Sequence, residues 1–586
     1  MRYSFFVLLL LSQQAFAQSG RILKFTTYPH VGMFDITRDQ SGNMYATGGF
    51  YNTADFGGQI VTSDDANSSS ARLFVAKYDE NGHLLWLHTE VGVADPAGTN
   101  NVIDQGSSIV LDKTGNVYAL GAFQSTRFTL DGVTIDNADV SLNSTDIVLI
   151  KYTPDGNLIW IKHFGGVSDD QLVKLAMGPD GNLYAVGSSS SPSLTFSQIT
   201  LNGTIDGFAA PLVASFDTSG RARWAKLFPA VNHAGIFPTT GGDDRFESLA
   251  IDSIGNIYVS GSLVSDTSQI GDSVMLADPN AKSRVVLVKF ATADGHIGWI
   301  EHSLGDSELS TSSIIVDRNN DPVLCSTFSG ANLTIGGLTV SNPDPRHQFP
   351  SVALLKLDPS GTALWAKSAG QTASSDTIGG MAAFLLGSSS TSELYVSGLA
   401  LSKDPISYNG SPLPLSSKAT NFFLMAVNPG GNLDWVFNET FNGEGIGIAI
   451  AFAPDNSLYY AGFYVSNGNG NSSTDTVLSS IDTLTSFIMH LSENPSLVRD
   501  QIPVPNPSFP FPNPASAYTT IVIPELQHSG PLTIFVYDAL GREVERVDAD
   551  HSSKIILPCK GLELGAYNYR IFIGEMAVAN GSFVVD

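Results

Sequence analysis

The chain has 586 residues, of which 42% are hydrophobic and 10% aromatic, enough to bury a large core. Its 56 glycines and 29 prolines indicate many turns rather than long helices, so an all-β fold is expected. The formal net charge of −26 at pH 7 repels polyanions, so we expect no nucleic-acid partner and no binding to an anionic membrane surface.

The N-terminus has the pattern of a secretory signal peptide. Arg2 precedes an apolar run, and the small residues Ala15 and Ala17 follow it. We predict a signal peptide over residues 1–17, with cleavage between Ala17 and Gln18. The run is too short to span a bilayer and no later apolar stretch is long enough, so no transmembrane segment is expected. The only two cysteines fall in different predicted domains, and no disulfide is expected.

Two short phrases then recur along the chain. The first reads "DKTGNVYALG" in its second copy, and its tyrosine or valine stands at seven positions: Tyr45, Tyr118, Tyr184, Tyr258, Val323, Tyr395 and Tyr459. The second phrase ends in a tryptophan 40–42 residues later in six copies: Trp86, Trp160, Trp224, Trp299, Trp365 and Trp435. Because every tryptophan of the protein keeps this register, the period is structural.

Each phrase has the composition of a strand, a tight turn and a strand. A glycine stands four residues before every tryptophan, where a hairpin turn requires a positive φ. The matching position of the first phrase holds glycine in copies one to four, then Asn320, Ser392 and Asn456. Apolar or alternating residues flank these turns. The sequence therefore predicts two hairpins, or four antiparallel strands, in each copy.

Seven copies of four strands predict a seven-bladed β-propeller, with an open β-solenoid as the competing architecture. Closure of the ring distinguishes the propeller from the solenoid. Copy seven ends without its tryptophan strand, and "RILKFTTY" near the N-terminus lies at the matching distance before Tyr45. We expect this N-terminal strand to complete the last blade, so that residues 18–497 form one closed propeller.

The two phrases resemble the SBBP-type β-propeller repeat, whose pattern is D-x-x-G-N-x-Y-x-x-G followed by K-x-D-x-x-G-x-x-x-W. The resemblance covers about residues 20–495, and copies five and six depart from it with "DRNNDPVLC" and "STSELYVSG". This family is defined by its shape, so the resemblance implies a propeller and no particular activity.

A proline-rich linker is predicted over residues 498–511, and a small C-terminal β-sandwich over residues 512–586. The sandwich resembles the C-terminal sorting domain of type IX secretion (type A) in three motifs, whose residues are Pro512, Asn513, Pro514, Gly541, Arg542, Gly565 and Tyr567. The resemblance implies that outer-membrane type IX machinery is a partner. It also implies removal of the domain and release from, or attachment to, the outer surface of a diderm bacterium.

Three acidic residues are candidate binding groups. Asp104, Asp170 and Asp244 each stand 14 residues before the tyrosine of their blade, at the start of the predicted innermost strand. We expect them on one rim of the channel. Either each carboxylate accepts backbone N–H bonds at a strand start, or the ring holds Ca²⁺; no other cofactor is indicated.

The junctions between blades supply further candidates. Every second junction carries six to ten extra residues, within segments 91–105, 229–247 and 369–383. Loops on a rigid scaffold commonly carry recognition, and His233, Phe237 and Arg245 offer stacking and hydrogen-bonding groups for a sugar or peptide. Neutral drift of loop length in a pairwise-duplicated array is the alternative.

Enzyme signatures such as H-E-x-x-H, G-x-S-x-G and the P-loop do not occur, so no catalytic residue is assigned. We expect a secreted or surface-attached, monomeric and non-enzymatic module that binds an extracellular carbohydrate or protein. A glycan lyase or hydrolase using the rim carboxylates is the main alternative, and a scaffold without a small ligand is another.

Overall fold

The computed structural model describes the chain in the following ranges: 22–63, 70–91, 102–139, 144–203, 207–229, 244–265, 267–276, 283–304, 308–372, 379–401, 405–413, 421–439, 443–452, 457–466, 484–491, 506–507, 509–511, 515–522, 532–537, 543–549, 554–562, 564–573 and 576–585. These residues form strands and turns and contain no helix, so none forms a helix able to cross a membrane. The chain divides into two compact units, Met1–Asn494 and Pro495–Asp586.

The first unit begins with β1 (Ile22–Pro29) and continues through successive four-stranded blades. Blade one contains β2 (Val31–Arg38), β3 (Met44–Tyr51), the short pair β4 (Thr53–Asp55) and β5 (Ile60–Thr62), β6 (Ala71–Tyr78) and β7 (Leu84–Thr89). Blade two contains β8 (Gln105–Leu111), β9 (Val117–Phe123), the pair β10 (Arg127–Leu130) and β11 (Val133–Asp136), β12 (Asp146–Tyr152) and β13 (Leu158–Phe164).

Blades three to five repeat this order. Blade three contains β14 (Asp170–Met177), β15 (Leu183–Ser189), the pair β16 (Ser193–Phe196) and β17 (Ile199–Asn202), β18 (Ala210–Phe216) and β19 (Ala222–Leu227). Blade four contains β20 (Arg245–Ile251), β21 (Asn256–Leu263), the pair β22 (Thr267–Ile270) and β23 (Ser273–Leu276), β24 (Arg284–Ala291) and β25 (Ile297–His302). Blade five contains β26 (Glu308–Val316), β27 (Pro322–Ser329), the pair β28 (Asn332–Ile335) and β29 (Leu338–Ser341), β30 (Ser351–Leu357) and β31 (Ala363–Gln371).

Blade six contains β32 (Met381–Ser388), β33 (Leu394–Ala400), the pair β34 (Ile406–Tyr408) and β35 (Ser411–Pro412), β36 (Asn421–Val427) and β37 (Leu433–Glu439). Blade seven takes three strands from this end of the unit, β38 (Gly443–Phe452), β39 (Leu458–Ser466) and β40 (Leu484–Leu491). Its fourth strand is β1, which pairs antiparallel with β40. Since the innermost strands β2 and β38 also contact each other, blades one and seven are neighbours. The predicted all-β, seven-bladed propeller with four-stranded antiparallel blades is confirmed.

The hydrophobic core of the propeller lies between blades. Both faces of each third strand are buried, as in the fully buried run of β12, because each sheet packs against a neighbour on either side. One cluster joins Tyr45 and Val75 of blade one to Ile109 and Val148 of blade two. Another cluster joins blade seven to blade one across the closing seam. Packing of this kind favours a closed ring, since every blade then packs against two neighbouring blades.

The second unit has two sheets. The larger contains β41 (Asn506–Pro507), β44 (Leu532–Tyr537), β45 (Glu543–Ala549), β47 (Gly565–Ile573) and β48 (Met576–Val585), and the smaller contains β42 (Phe509–Phe511), β43 (Tyr518–Val522) and β46 (Lys554–Pro558). One apolar cluster includes residues of both. Strands β41 and β42 lie within the segment predicted as linker, and both occupy sheet edges, where proline is tolerated.

Candidate functional site

The two ends of each blade differ, and we name them by their connections. Turns between first and second strands and between third and fourth strands lie at one end, the turn face. Connections between second and third strands, together with the junctions between blades, lie at the opposite end, the link face. A functional site has to be sought on one of these faces or along the innermost strands.

The turn face is built from short turns capped by carboxylates. In blade two, Oδ1 of Asp112 accepts the backbone N–H groups of Thr114 and Asn116, both at 2.9 Å. Its Oδ2 accepts hydrogen bonds from the side-chain amide of Asn116 at 2.8 Å and from the Tyr118 hydroxyl at 3.2 Å. Burial pushes the pKa of Asp112 up, but hydrogen bonds led by Asn116 and Thr114 outweigh burial and hold the pKa below its ordinary value. The D-x-x-G-N-x-Y phrase therefore encodes a hydrogen-bonded turn.

Blades five and six keep these turns although they lack the glycine. Asn320 and Ser392 occupy the turn position with φ of 66° and 64°. In blade six the Tyr395 hydroxyl donates to Glu393 Oε2 at 2.6 Å, so Glu393 replaces the missing aspartate as its acceptor. Local hydrogen bonds thus maintain a positive φ that a side chain otherwise disfavours.

On the link face, a short hairpin that the two-phrase pattern did not predict precedes the third strand in blades one to six. In blade two this hairpin buries Phe128 and Leu130, and the carbonyl of Thr129 accepts the N–H of Val91 from blade one at 2.8 Å. It therefore lies against the outer edge of the preceding blade. The alternating run "RFTLDGVTID" was the sequence signal that could have revealed it.

The three predicted rim acids lie on the link face and are completely buried. Asp104 Oδ1 accepts the N–H groups of Gln124 and Ser125 at 2.7 and 3.1 Å, and its Oδ2 pairs with Arg72 Nη1 at 2.9 Å. Burial raises the pKa of Asp104. This carboxylate therefore anchors the connection that follows β9, and it joins blade two to blade one.

Asp170 and Asp244 anchor the corresponding connections in blades three and four. Asp170 accepts the hydroxyls of Ser189 and Ser191, and Asp244 accepts the N–H of Val264 at 2.6 Å. Among the described residues, no hydrogen bond or ion pair joins one of the three acids to another. In each case the carboxylate bonds to the connection that follows the second strand of its blade.

The other predicted ligand residues are placed only in part. Arg245 is exposed at the start of β20, and its Nε lies 3.2 Å from Glu247 Oε1, which also accepts the Ser262 hydroxyl at 2.9 Å. His233 and Phe237 lie outside the described residues. Arg245 is therefore the one predicted side chain that the described structure presents to solvent on this face.

The innermost strands carry a feature that the sequence pattern did not predict. Each has a β-bulge, and in six blades the bulge faces the last glycine of the Y-x-x-G phrase. A Cβ on Gly187 would collide with the carbonyl oxygen of Gln171, so the glycine permits this close approach. Blade five has Ser326 at this position, and its bulge lies two residues further, beside Phe328.

One ion pair links three innermost strands. Asp35 Oδ2 accepts the Ser108 hydroxyl at 2.7 Å and the N–H of Ile109 at 3.1 Å, both in blade two. The Lys174 Nζ of blade three lies 3.0 Å from the same oxygen. The Lys174 side chain remains 35% exposed, so it presents an amine at the wall formed by the first strands. The sequence offered no signal for this contact, because the residues come from three different repeats.

The described residues offer neither a metal site nor a reactive thiol. Within the described part of the chain, no group of three or more His, Cys, Asp or Glu side chains is placed to hold a metal ion. Cys325 and Cys559 are both free and buried. Burial raises the pKa of the Cys325 thiol, which makes it a poor nucleophile.

In the C-terminal unit, Tyr567 is buried in β47 and its ring stacks on Phe583 at 5.6 Å. Gly565 begins the same strand. The other predicted motif residues, Pro512, Asn513, Pro514, Gly541 and Arg542, lie outside the described residues, as do Ala17 and Gln18 at the predicted cleavage site. Tyr567 therefore contributes to the core of this unit.

Two curated proteins are similar to about half of the chain. The regulatory protein FlaEY of Caulobacter vibrioides is 24% identical over 308 residues, which cover 51% of this chain and 29% of that protein. An uncharacterized WD repeat-containing protein, L264 of Acanthamoeba polyphaga mimivirus, is 23% identical over 353 residues, 50% of this chain and 24% of that protein. The matches thus span less than a third of these relatives' own length.

Solved structures are similar in fold alone. A protein of unknown function from Dyadobacter fermentans has a TM-score of 0.34 at 10% identity, covering 66% of this chain and 95% of that one. A PL25 ulvan lyase has a TM-score of 0.40 at 8% identity, covering 81% and 96%. Residues 510–584 match the secretion system C-terminal sorting domain, which indicates type IX secretion and attachment to the cell surface of Bacteroidetes-type bacteria.

Proposed function

We propose that the propeller is a surface-displayed, non-enzymatic binding module that takes an extracellular carbohydrate or protein on its link face. The observation that carries the proposal is the anchoring of that face. Buried carboxylates at Asp104, Asp170 and Asp244 secure the connections of three successive blades. A rigid scaffold that holds its loops in this way is the usual platform for recognition.

The route to the surface follows from both ends of the chain. A signal peptide over residues 1–17 takes the chain across the inner membrane, and the sorting region delivers a monomeric propeller through the type IX machinery. The tyrosine and tryptophan phrases support assignment of the blades to the SBBP type. The mature propeller then extends from Gln18 to about residue 497, with β1 closing blade seven.

The rim acids bear on the enzymatic alternative. A lyase or hydrolase would need a pair of carboxylates open to a sugar. Asp104 and Asp170 are buried and accept hydrogen bonds from protein groups, which supports an anchoring role instead. A calcium ring on the same acids would need their oxygens free for the ion.

The test uses the mature chain, residues 18–586, on a glycan array and on an array of extracellular-matrix peptides. We expect retention of one ligand class, without cleavage products in the bound glycan by mass spectrometry. Shortening the junction within 229–247 to the common length should abolish this retention without shifting the melting temperature. Ile254→Ser, at a 76% exposed position on the turn face, is the matched control and should bind normally.

Three results would overturn the proposal. New unsaturated or reducing ends on the glycan would indicate an enzyme. Loss of binding in the Ile254→Ser control would move the site to the turn face. Failure to retain any ligand on either array would favour a structural scaffold.

A further inference from the structure

The seams between neighbouring blades contain matching positions, and these positions hold different residues in different seams. Arg72 pairs with Phe50 in blade one, and Asp146 pairs with Phe123 in blade two; each partner lies five residues after the tyrosine of its phrase. Asp146 therefore has the register position of Arg72. The first seam joins blades one and two, and the second joins blades two and three.

In both seams the backbone of the acid that faces this position makes the same hydrogen bond to the preceding blade. The N–H of Asp104 donates to the carbonyl of Ala71 at 3.1 Å, and the N–H of Asp170 donates to the carbonyl of Thr145 at 2.7 Å. In the first seam the Asp104 carboxylate then meets a guanidinium, that of Arg72. In the second seam the residue that follows Thr145 is a second acid, Asp146, whose charge acts on Asp170, and both carboxylates are completely buried. The second seam thus lacks the ion pair of the first.

The hydrogen bonds of Asp146 leave its charge only partly compensated. Its Oδ2 accepts the backbone N–H of Ala138 and lies 2.7 Å from His163 Nε2. Its Oδ1 is buried and has no hydrogen-bond partner among the described residues. A buried carboxylate oxygen without a donor is costly, and a second negative charge close by raises the cost.

We propose that the seam between blades two and three is a proton-binding switch, in which Asp170 takes up one proton beside Asp146 and loosens the link face when it loses that proton. Asp170 is the member assigned the proton, because its two named side-chain donors are neutral serine hydroxyls, whereas Asp146 Oδ2 lies 2.7 Å from His163 Nε2. Among the described residues, Asp169 and Asp139 are further titratable groups of the adjoining connections. Asp169 accepts the N–H of Thr145 at 2.9 Å, and Asp139 lies in the connection that contains Ala138.

The direction of the effect follows from linkage. Burial, with a further contribution from the charge of Asp146, raises the pKa of Asp170 from 3.8 to about 6, against the hydrogen bonds from Ser189 and Ser191. The folded seam then binds a proton more tightly than the open seam. Its extra stability is present at low pH and is lost as the pH rises from about 4 through about 6. This proposal concerns stability and does not depend on the ligand.

Hydrogen–deuterium exchange of the mature chain tests the switch, with rates corrected for the intrinsic effect of pH. Peptides that contain Thr145 and Asp170 report the seam, because the amides of these two residues bond across it. Between pH 5 and pH 7.5 we expect the opening equilibrium of these peptides to rise about tenfold. Asp170→Asn mimics the neutral acid and should reduce this change to less than about twofold.

Two further variants keep the test decisive. Asp244→Asn alters the matching acid of the next seam, where Ala210 occupies the register position of Asp146, and should leave the tenfold change in place. Asp146→Asn removes the neighbouring charge and should shrink the change. An unaltered tenfold change in both Asp170→Asn and Asp146→Asn, or a flat response in the unmodified chain, would overturn the proposal.

Discussion

The indole N–H of Trp86 in blade one donates a 3.2 Å hydrogen bond to the backbone carbonyl of Pro154 in blade two. The same bond recurs between later blades, from Trp224 to Thr292 and from Trp365 to Pro429, both at 3.0 Å. In these blades the outer strand is therefore hydrogen-bonded to the last turn of the next blade. This contact gives a physical reason for a tryptophan at this position of the repeat.

Substitution of the glycine in the turn that contains Pro154 should destabilise the protein more than the positive φ of that glycine alone implies. Gly156 has a φ of 84°, and a Cβ there would lie 3.0 Å from the Trp86 ring. We expect Gly156→Ala to reduce the free energy of unfolding by about 3 kcal/mol, from backbone strain and overpacking together. Gly181→Ala is the matched control, since Gly181 has a φ of 80° and open space beside it. It should cost about 1 kcal/mol. Urea titration followed by tryptophan fluorescence measures both, and equal losses would contradict the packing argument.

Acid should destabilise the turn face. Hydrogen bonds hold the pKa of Asp112 below 3.8 in the folded state, so its contribution is present above about pH 4 and is lost as the pH falls through its folded pKa. Asp112→Asn should make the decline of the urea midpoint between pH 4 and pH 2.5 shallower. Thr153 caps the equivalent second turn of blade two with a neutral hydroxyl, and its bond to the N–H of Asn157 is 3.0 Å. Thr153→Ala should lower the midpoint without changing its pH slope; an altered slope would contradict the assignment.

Removing the closing strand should weaken the whole propeller. Strand β1 pairs with β40, whose Phe487, Ile488 and Met489 are buried. Deleting residues 18–28 exposes this edge, and we expect a loss on the order of 5 kcal/mol together with faster exchange in β40. Deleting residues 18–20 alone, upstream of β1, is the control. If both truncations unfold at the same urea concentration, closure by β1 does not stabilise the ring.

Deleting the sorting region should affect delivery and spare the fold. Residues 510–584 match the sorting domain and belong to the second compact unit. A chain ending at residue 494 should accumulate in the periplasm, because the machinery no longer recognises it. Its tryptophan fluorescence transition should match that of the full chain, since all six tryptophans lie in the propeller. Surface exposure of this truncated chain, measured by protease accessibility of whole cells, would contradict the prediction.

The architecture was predictable because its determinants are local in sequence. Asp112, Asn116 and Tyr118 form one hydrogen-bonded turn within seven residues, so their spacing alone predicts the hairpin. Repetition then multiplies a short-range signal sevenfold. The short hairpin of the link face left a similar local pattern that the two phrases did not include. The final glycine of the Y-x-x-G phrase likewise marked the bulge opposite it.

The candidate site depended on contacts that no local pattern encodes. Sequence spacing alone determined that Asp104, Asp170 and Asp244 share one position of the repeat, at the start of the innermost strand. Only the packing of adjacent blades decided that these carboxylates are buried and that Arg72 faces one acid while Asp146 faces another. Asp35 and Lys174, 139 residues apart, meet for the same reason. The charge environment of a side chain depends on the neighbouring sheet, and only the packing of blade on blade brings residues of different repeats into contact.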